Sequence, residues 1–490
     1  MLEVHNGVST THVDEAVLFP FDTHSIPFST GLRLQLVPGK TPYNKPPIVL
    51  RRGAPGSVDD EKICFYGTVI DLDGELRMWY QAKSSLDKSG RRLAYAVSQD
   101  GFNWERPDLG LIEFNGNKDN NIIDLFDGQP CLTSAPVLYD PDDPDPNRRF
   151  KMCIEASQFV NSLAVAYSPD GLRWTGSPDN PVGPAQETGS VVKHNGCYYV
   201  TSQDELGYHG SQFGITRKMI TFASYDFETW TQASCLSFRR DDVPPRRMEP
   251  HHNMAEEAHQ GAMLWSRGNV IIGCYDMWHG NPMGEQNRID MDLGLVVSND
   301  ALHYYEPIPD FKFIPAAVEP EQPDDRGRAL THAHGPAMVN RGDRTLMWYG
   351  MFFGSDVRCA SWHLDRLGCF ETFDEMIFGE GEFFPITRPR PHFISCPLRA
   401  GEGPLKVFAN ADLTEHCPLT VEVLDEGFHP LPRYSGDACV PLKEDGFRLP
   451  VRWKERDELP AGETFRLQVN YGDGLRSEDA KVYALYVANE

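Results

Sequence analysis

The sequence predicts an all-β chain: a five-bladed β-propeller followed by a C-terminal antiparallel β-sandwich. Three observations carry that expectation. One short marker recurs five times, each copy follows a similar apolar strand, and the marker stops near residue 376, where the residue pattern changes.

The marker is a strand ending in Ser, an Asp-containing turn, and an aromatic residue that opens the next strand. Its copies are Ser98-Gln99-Asp100-Gly101-Phe102-Asn103-Trp104, Ser168-Pro169-Asp170-Gly171-Leu172-Arg173-Trp174, Ser224-Tyr225-Asp226-Phe227-Glu228-Thr229-Trp230 and Ser298-Asn299-Asp300-Ala301-Leu302-His303-Tyr304, with a decayed fifth at 362–370. Asp-Gly between alternating apolar runs signals a hairpin, because Gly supplies the positive φ that such turns need. Upstream of the copies lie apolar strands such as Arg77-Met78-Trp79-Tyr80, Lys151-Met152-Cys153-Ile154 and Leu346-Met347-Trp348-Tyr349, each preceded by another short strand. A unit therefore holds about four strands in roughly 55 to 75 residues, the content of one propeller blade.

Beyond the last copy, Pro385 to Pro397 is Pro-rich, and period-two alternation follows at 405–408, 419–423, 465–469 and 481–487, the pattern of a small antiparallel sandwich. The expected organisation is an N-terminal extension over 1–50 packing on the propeller, the propeller over 51–375, a Pro-rich linker over 376–400 and the sandwich over 401–490.

Composition narrows the partners. With 490 residues, 40% of them hydrophobic, the chain can bury more than one core, and its formal net charge of -25 repels phosphate backbones and anionic membrane surfaces. Neither nucleic acid nor a membrane is expected as a partner, and a homo-oligomer stays open. The sequence contains no run of about 18 consecutive apolar residues, the length needed to span a bilayer. Residues 1–20 lack a basic stretch followed by an apolar one, and the eleven cysteines lie scattered without a CxxC pair. With Met1 as the start, these features point to reduced thiols and the cytoplasm.

Several stretches resemble a known family: Tyr66-Gly67-Thr68-Val69-Ile70, Met78-Trp79-Tyr80, Tyr95-Ala96-Val97-Ser98, Asp119-Asn120-Asn121-Ile122-Ile123, and Trp265 to Gly273 with Trp278-His279-Gly280 after it. They are similar to the glycosyl hydrolase family 32 N-terminal-like propeller proteins of the fructosidase and arabinanase superfamily. Val451-Arg452-Trp453 and Lys481-Val482-Tyr483-Ala484 resemble that group's terminal sandwich. The resemblance implies a carbohydrate substrate. It does not extend to fructosidase activity, because the Trp-Met-Asn-Asp-Pro-Asn-Gly run and the Arg-Asp-Pro triplet of that activity are missing, Tyr139-Asp140-Pro141 lacking the Arg.

Glycoside hydrolysis needs two carboxyl groups facing each other across a sugar. Residues at the opening of each blade's first strand converge on the propeller axis, so candidates are sought there. Asp59, preferred to its neighbour Asp60 because the resembled family tends to have an acid before the Tyr-Gly-Thr-Val strand, is the expected base or nucleophile. Glu187 is the expected acid, and Glu257 is its rival. Arg52, Tyr66, His252, His259, Trp278, His279, His332 and His334 are expected to bind substrate. No cofactor is expected. The His-x-His at His332 and His334 puts both rings on one strand face, so those two with His259 form a lesser alternative, a divalent-metal site serving a metal-dependent lyase or hydrolase. A propeller that binds carbohydrate without cutting it is the other alternative.

Overall fold

The computed structural model describes residues 1–39, 44–126, 134–155, 157–204, 217–240, 256–279, 290–316, 331–351, 356–372, 390–401, 403–472 and 476–488. Among these the chain is all-β, interrupted only by short turns of 3-10 helix. No described helix is long and apolar enough to cross a membrane.

The five repeat units correspond to five sheets, antiparallel but for one short edge strand of the second, taken in chain order. The first is built of Lys62–Leu72, Glu75–Lys83 and Arg92–Ser98. In the second, Val137–Tyr139, Phe150–Glu155, Leu163–Ser168 and Arg173–Gly176 carry the short Asp124–Leu125 at one edge. The third runs Thr188–His194, Cys197–Asp204, Lys218–Ser224 and Cys235–Phe238, and the fourth Glu256–Ser266, Ile271–His279, Asp290–Ser298 and Lys312–Ile314. In the fifth, Thr331–His332 and Met338–Arg341 both pair with Arg344–Met351, which pairs with Asp356–His363. Its outer edge is Ile48–Arg51, a strand drawn from before the first sheet. The opening strands of successive sheets touch in turn, first to second, second to third and third to fourth; the fourth meets the fifth, and the fifth returns to the first.

The marker explains itself physically. Ser98 Oγ accepts the Gly101 N–H at 2.8 Å, Asp100 Oδ1 accepts those of Phe102 and Asn103 at 2.8 Å each, and the Trp104 indole donates to the Gly101 carbonyl at 2.9 Å. The same bonds recur around Ser168, Ser224 and Ser298, though the fourth copy ends in Tyr304. The residue after Asp is left-handed each time, with φ of 81° at Gly101, 77° at Gly171, 65° at Phe227 and 62° at Ala301. Two copies also tie neighbouring sheets together: Trp79 of the first sheet donates to the Gly171 carbonyl at 2.7 Å, and Trp348 of the fifth donates to that of Gly101 at 2.9 Å.

These bonds make an acid-stability prediction. Backbone N–H donors, led by that of Asn103, hold the Asp100 carboxyl down to about 2; at Asp170, Asp226 and Asp300 partial burial pushes upward and is outweighed by hydrogen bonds, so these too are lowered. A folded value below the unfolded one, about 4, gives stability that is present above pH 4 and lost as pH falls through the folded values. The denaturation midpoint is expected to drop between about pH 4 and 2, and Asp→Asn changes at these four turns to flatten that drop, as urea titrations at stepped pH would register. A slope unchanged by the four substitutions would refute the assignment.

Two further sheets share one apolar core, which includes Leu2, Leu18, Phe393, Val407, Leu467 and Val487. Here the organisation differs from expectation. Residues 1–50 do not simply pack on the five sheets: Leu2–His5 pairs with Leu398–Ala400, Phe28–Thr30 with His392–Ile394, and Glu15–Leu18 with Ala480–Ala488. Gly368–Thr372, within the span expected for the propeller, pairs with both Leu32–Leu36 and Ala480–Ala488. Alternation specifies a strand's buried face but not its partner across hundreds of residues. Of the linker expected over 376–400, residues 376–389 lie outside the described residues. The described cysteines are free thiols, all but Cys235 buried.

Candidate functional site

Irregularities in three opening strands shape the site. The pairing register shifts between Cys64 and Thr68, between Thr188 and Ser190, and between His259 and Ala262. Bulges of this kind re-aim side chains and are over-represented beside active sites. Gln260, buried at φ 56°, holds a left-handed backbone that a side-chain-bearing residue adopts only at a cost.

Around these bulges a buried cluster forms. The Gln260 backbone N–H donates to Gln203 Oε1 at 3.1 Å, which turns the Gln203 amide nitrogen onto Glu187 Oε2 at 2.6 Å. The Gln260 amide nitrogen donates to the other oxygen, Glu187 Oε1. Glu187 is thus a buried carboxylate cradled by two amides from different sheets. Tyr66 lies within electrostatic reach of both Glu187 and Asp276, and Arg91 stands 5.6 Å above its ring.

Tyr66 also meets two histidines edge-on, with ring centroids 4.7 Å from His332 and 4.9 Å from His334; the two imidazoles are 4.2 Å apart. His332 Nδ1 and Asp276 Oδ2 are hydrogen-bonded at 2.5 Å, and Asp276 Oδ1 accepts the Ala333 N–H at 3.0 Å. Burial pushes the Asp276 carboxyl up to about 8, although His334 and the Ala333 N–H pull the other way. Burial, then the charges of Lys62 and Arg91, pushes His332 down to about 3, and burial carries His259 and His334 well below the ordinary imidazole range.

The fourth sheet sorts its candidates by parity. Glu257 is in register with Trp278, and His259 with Asp276, so these four share one face; the His259 and Trp278 rings are 4.6 Å apart, and Arg217 lies 5.1 Å over the Trp278 ring. His279, expected among the substrate binders, points to the other face because successive strand residues alternate. There its ring bridges Glu256 at 2.6 Å and Asp292 at 3.2 Å, beside the fully buried Arg240, which contacts Glu256, Glu306 and Asp310. That is an ion network on a largely buried sheet face, where each charge meets an opposite one.

Asp59 is placed elsewhere too. Its fully buried carboxylate accepts from Ser57 at 3.0 Å, Tyr80 at 2.9 Å and Arg106 at 2.8 Å, and Arg106 also donates to the Arg51 carbonyl on the outer edge of the fifth sheet. Asp59 therefore belongs to the seam between the first and fifth sheets, and its described hydrogen bonds do not join it to Glu187. Arg52 is exposed, donating to the Glu61 carbonyl at 3.4 Å. His252 lies outside the described residues.

The structure thus draws together Tyr66, Glu187, Glu257, His259, Trp278, His332 and His334 on converging strands, and adds Asp276, Gln203, Gln260 and Arg91, which the sequence reading missed. Asp276 had a legible signal: it is an acid inside an apolar strand, two residues before Trp278 and so on the same face.

No family model matches the chain. An uncharacterized protein of Mycobacterium tuberculosis is 25% identical over 163 residues, covering 31% of this chain and 49% of that one, so the chain spans about half the length of the curated relative it matches. Among solved structures the chain is similar to a glycosyl hydrolase from Bacteroides ovatus (TM-score 0.44, 15% identity, 67% of this chain and 97% of that one). It is also similar to a putative glycoside hydrolase from Parabacteroides distasonis (TM-score 0.43, 16% identity, 68% and 96%) and to an α-L-arabinanase from Penicillium chrysogenum complexed with arabinobiose (TM-score 0.38, 12% identity, 65% and 98%).

Proposed function

We propose that the chain is a carbohydrate-processing enzyme, a glycoside hydrolase working at the axis of a five-bladed β-propeller that is followed by a two-sheet sandwich. Five marker-bearing sheets and the return of contact from the fifth opening strand to the first support the architecture. One observation carries the chemistry: Glu187 is buried where opening strands converge and is held as an acceptor by Gln203 and Gln260.

Glycosidic cleavage requires a carboxylate fixed in place to attack the anomeric carbon or to activate water there, together with a group that assists the leaving oxygen. Glu187, expected from the sequence as the acid, takes the first role instead, because two amide N–H groups donate to its carboxylate. Asp276, His332 and His334 supply the assisting side, and Trp278 offers an apolar face of the kind on which sugar rings stack.

The test is a panel of aryl glycosides and oligosaccharides followed by reducing-sugar release, with calorimetric binding run in parallel. Turnover of at least one member is expected. Binding without turnover would replace this reading by the carbohydrate-binding one, and a protein that neither binds nor turns over any sugar would sink both.

A further inference from the structure

Three Lewis-basic side chains from two sheets meet at one point of the cluster. Donor atoms of Asp276, His332 and His334 lie within 4.8 Å of one another, and all three residues are buried. His334 adds an independent sign. Both of its ring nitrogens are buried and find no hydrogen-bond partner among the described residues, although every buried polar atom is expected to have one. Its ring is fixed by the edge-on Tyr66 and the neighbouring His332, so it cannot turn out to solvent for a partner.

We infer that Asp276, His332 and His334 bind one divalent first-row transition metal ion, of the zinc or manganese class. The histidine set suggested by the sequence changes by one member: Asp276 takes the place of His259, whose ring centroid is 6.1 Å from that of His332 and whose Nδ1 faces Arg217. Two imidazoles and one carboxylate suit such an ion, whereas calcium takes six to eight oxygen ligands. A neutral imidazole is the ligating form, and both imidazoles are buried at the point where the three side chains meet. Three protein ligands leave coordination positions open for water or a substrate hydroxyl, the arrangement of a catalytic rather than a structural site. The ion's chemical use rests on reading this cluster as the sugar-processing site; its binding does not.

Protein made without a histidine tag, stripped by a chelator, incubated with Zn2+ or Mn2+ and desalted is expected to retain one ion per chain by elemental analysis. Loading with Co2+ is expected to give visible ligand-field bands that report imidazole coordination. Asp276→Asn and His334→Gln should each weaken retention by about 100-fold or more, with both the occupancy and the Co2+ bands falling away. Circular dichroism of the stripped variants identifies any that fail to fold, and the other variant then decides. Glu187→Gln should keep the ion in full, so loss of turnover in that variant and loss of metal in the others report on different claims. A wild type that retains no ion after loading, or folded Asp276→Asn and His334→Gln proteins that retain it as well as wild type, would overturn the site.

Discussion

Glu187→Gln is expected to lower kcat by about 1,000-fold or more on whichever glycoside the protein turns over, while sugar affinity changes only a few-fold. The substitution keeps shape and volume but removes the negative charge and the ability to form or break a bond to hydrogen or carbon. A reacting carboxylate contributes mainly in the transition state, so its loss appears in kcat and leaves ground-state binding nearly intact. A smaller second effect follows from the cradle. Gln203 and Gln260 both present N–H groups to Glu187, and an amide can accept on one side only. One buried donor pair is left face to face, costing about 1 to 3 kcal/mol of stability. The two effects separate the roles: a purely structural Glu187 would lower the melting temperature and leave kcat in place. Retention of wild-type kcat in a folded Glu187→Gln protein would therefore remove the catalytic assignment.

The repeat was legible because every residue of the marker has a local task. Ser98 and Asp100 cap the backbone of their own turn, and Trp104 closes on the carbonyl of Gly101, so position alone announces the structure. The site was legible only in part. Strand openings point toward the axis, which makes Glu187, Glu257, His259, His332 and His334 legible. Asp276 sits on the second strand of its sheet, where Trp278 and His279 stand out in the sequence and the acid before them does not. His279 was misplaced because its neighbour Trp278 occupies the cluster face, and one step along a strand reverses the face. Gln203 and Gln260 escaped a search for titratable groups, although amides hold the central carboxylate. Asp59 reads from the sequence as a base or nucleophile, and its partner is not legible there: Arg106 lies 47 residues further along, and a long-range ion pair leaves no mark on local sequence.

Gly335→Ala is expected to cost more than about 4 kcal/mol, a large fraction of a domain's total stability. Gly335 has φ 66°, and a Cβ there would stand 2.0 Å from the Gly67 carbonyl oxygen and 2.8 Å from its carbon. The obstacle is backbone of the first sheet, which cannot rotate aside as a side chain would. Gly335 N–H also donates to the Gly189 carbonyl at 2.9 Å, so one glycine of the fifth sheet's opening segment contacts opening strands of both the first and third sheets. Moving it away from Gly67 would strain that bond and the placement of His332 and His334 beside it. Gly342 provides the control. It lies in the turn between Met338–Arg341 and Arg344–Met351 of the same sheet, at φ 59° and with open space around its missing Cβ, so Gly342→Ala carries the left-handed penalty alone, about 1 kcal/mol. Chemical denaturation of the two variants should then differ by several kcal/mol; equal midpoints would mean that the close approach of the three sheets at Gly335 contributes nothing beyond backbone strain.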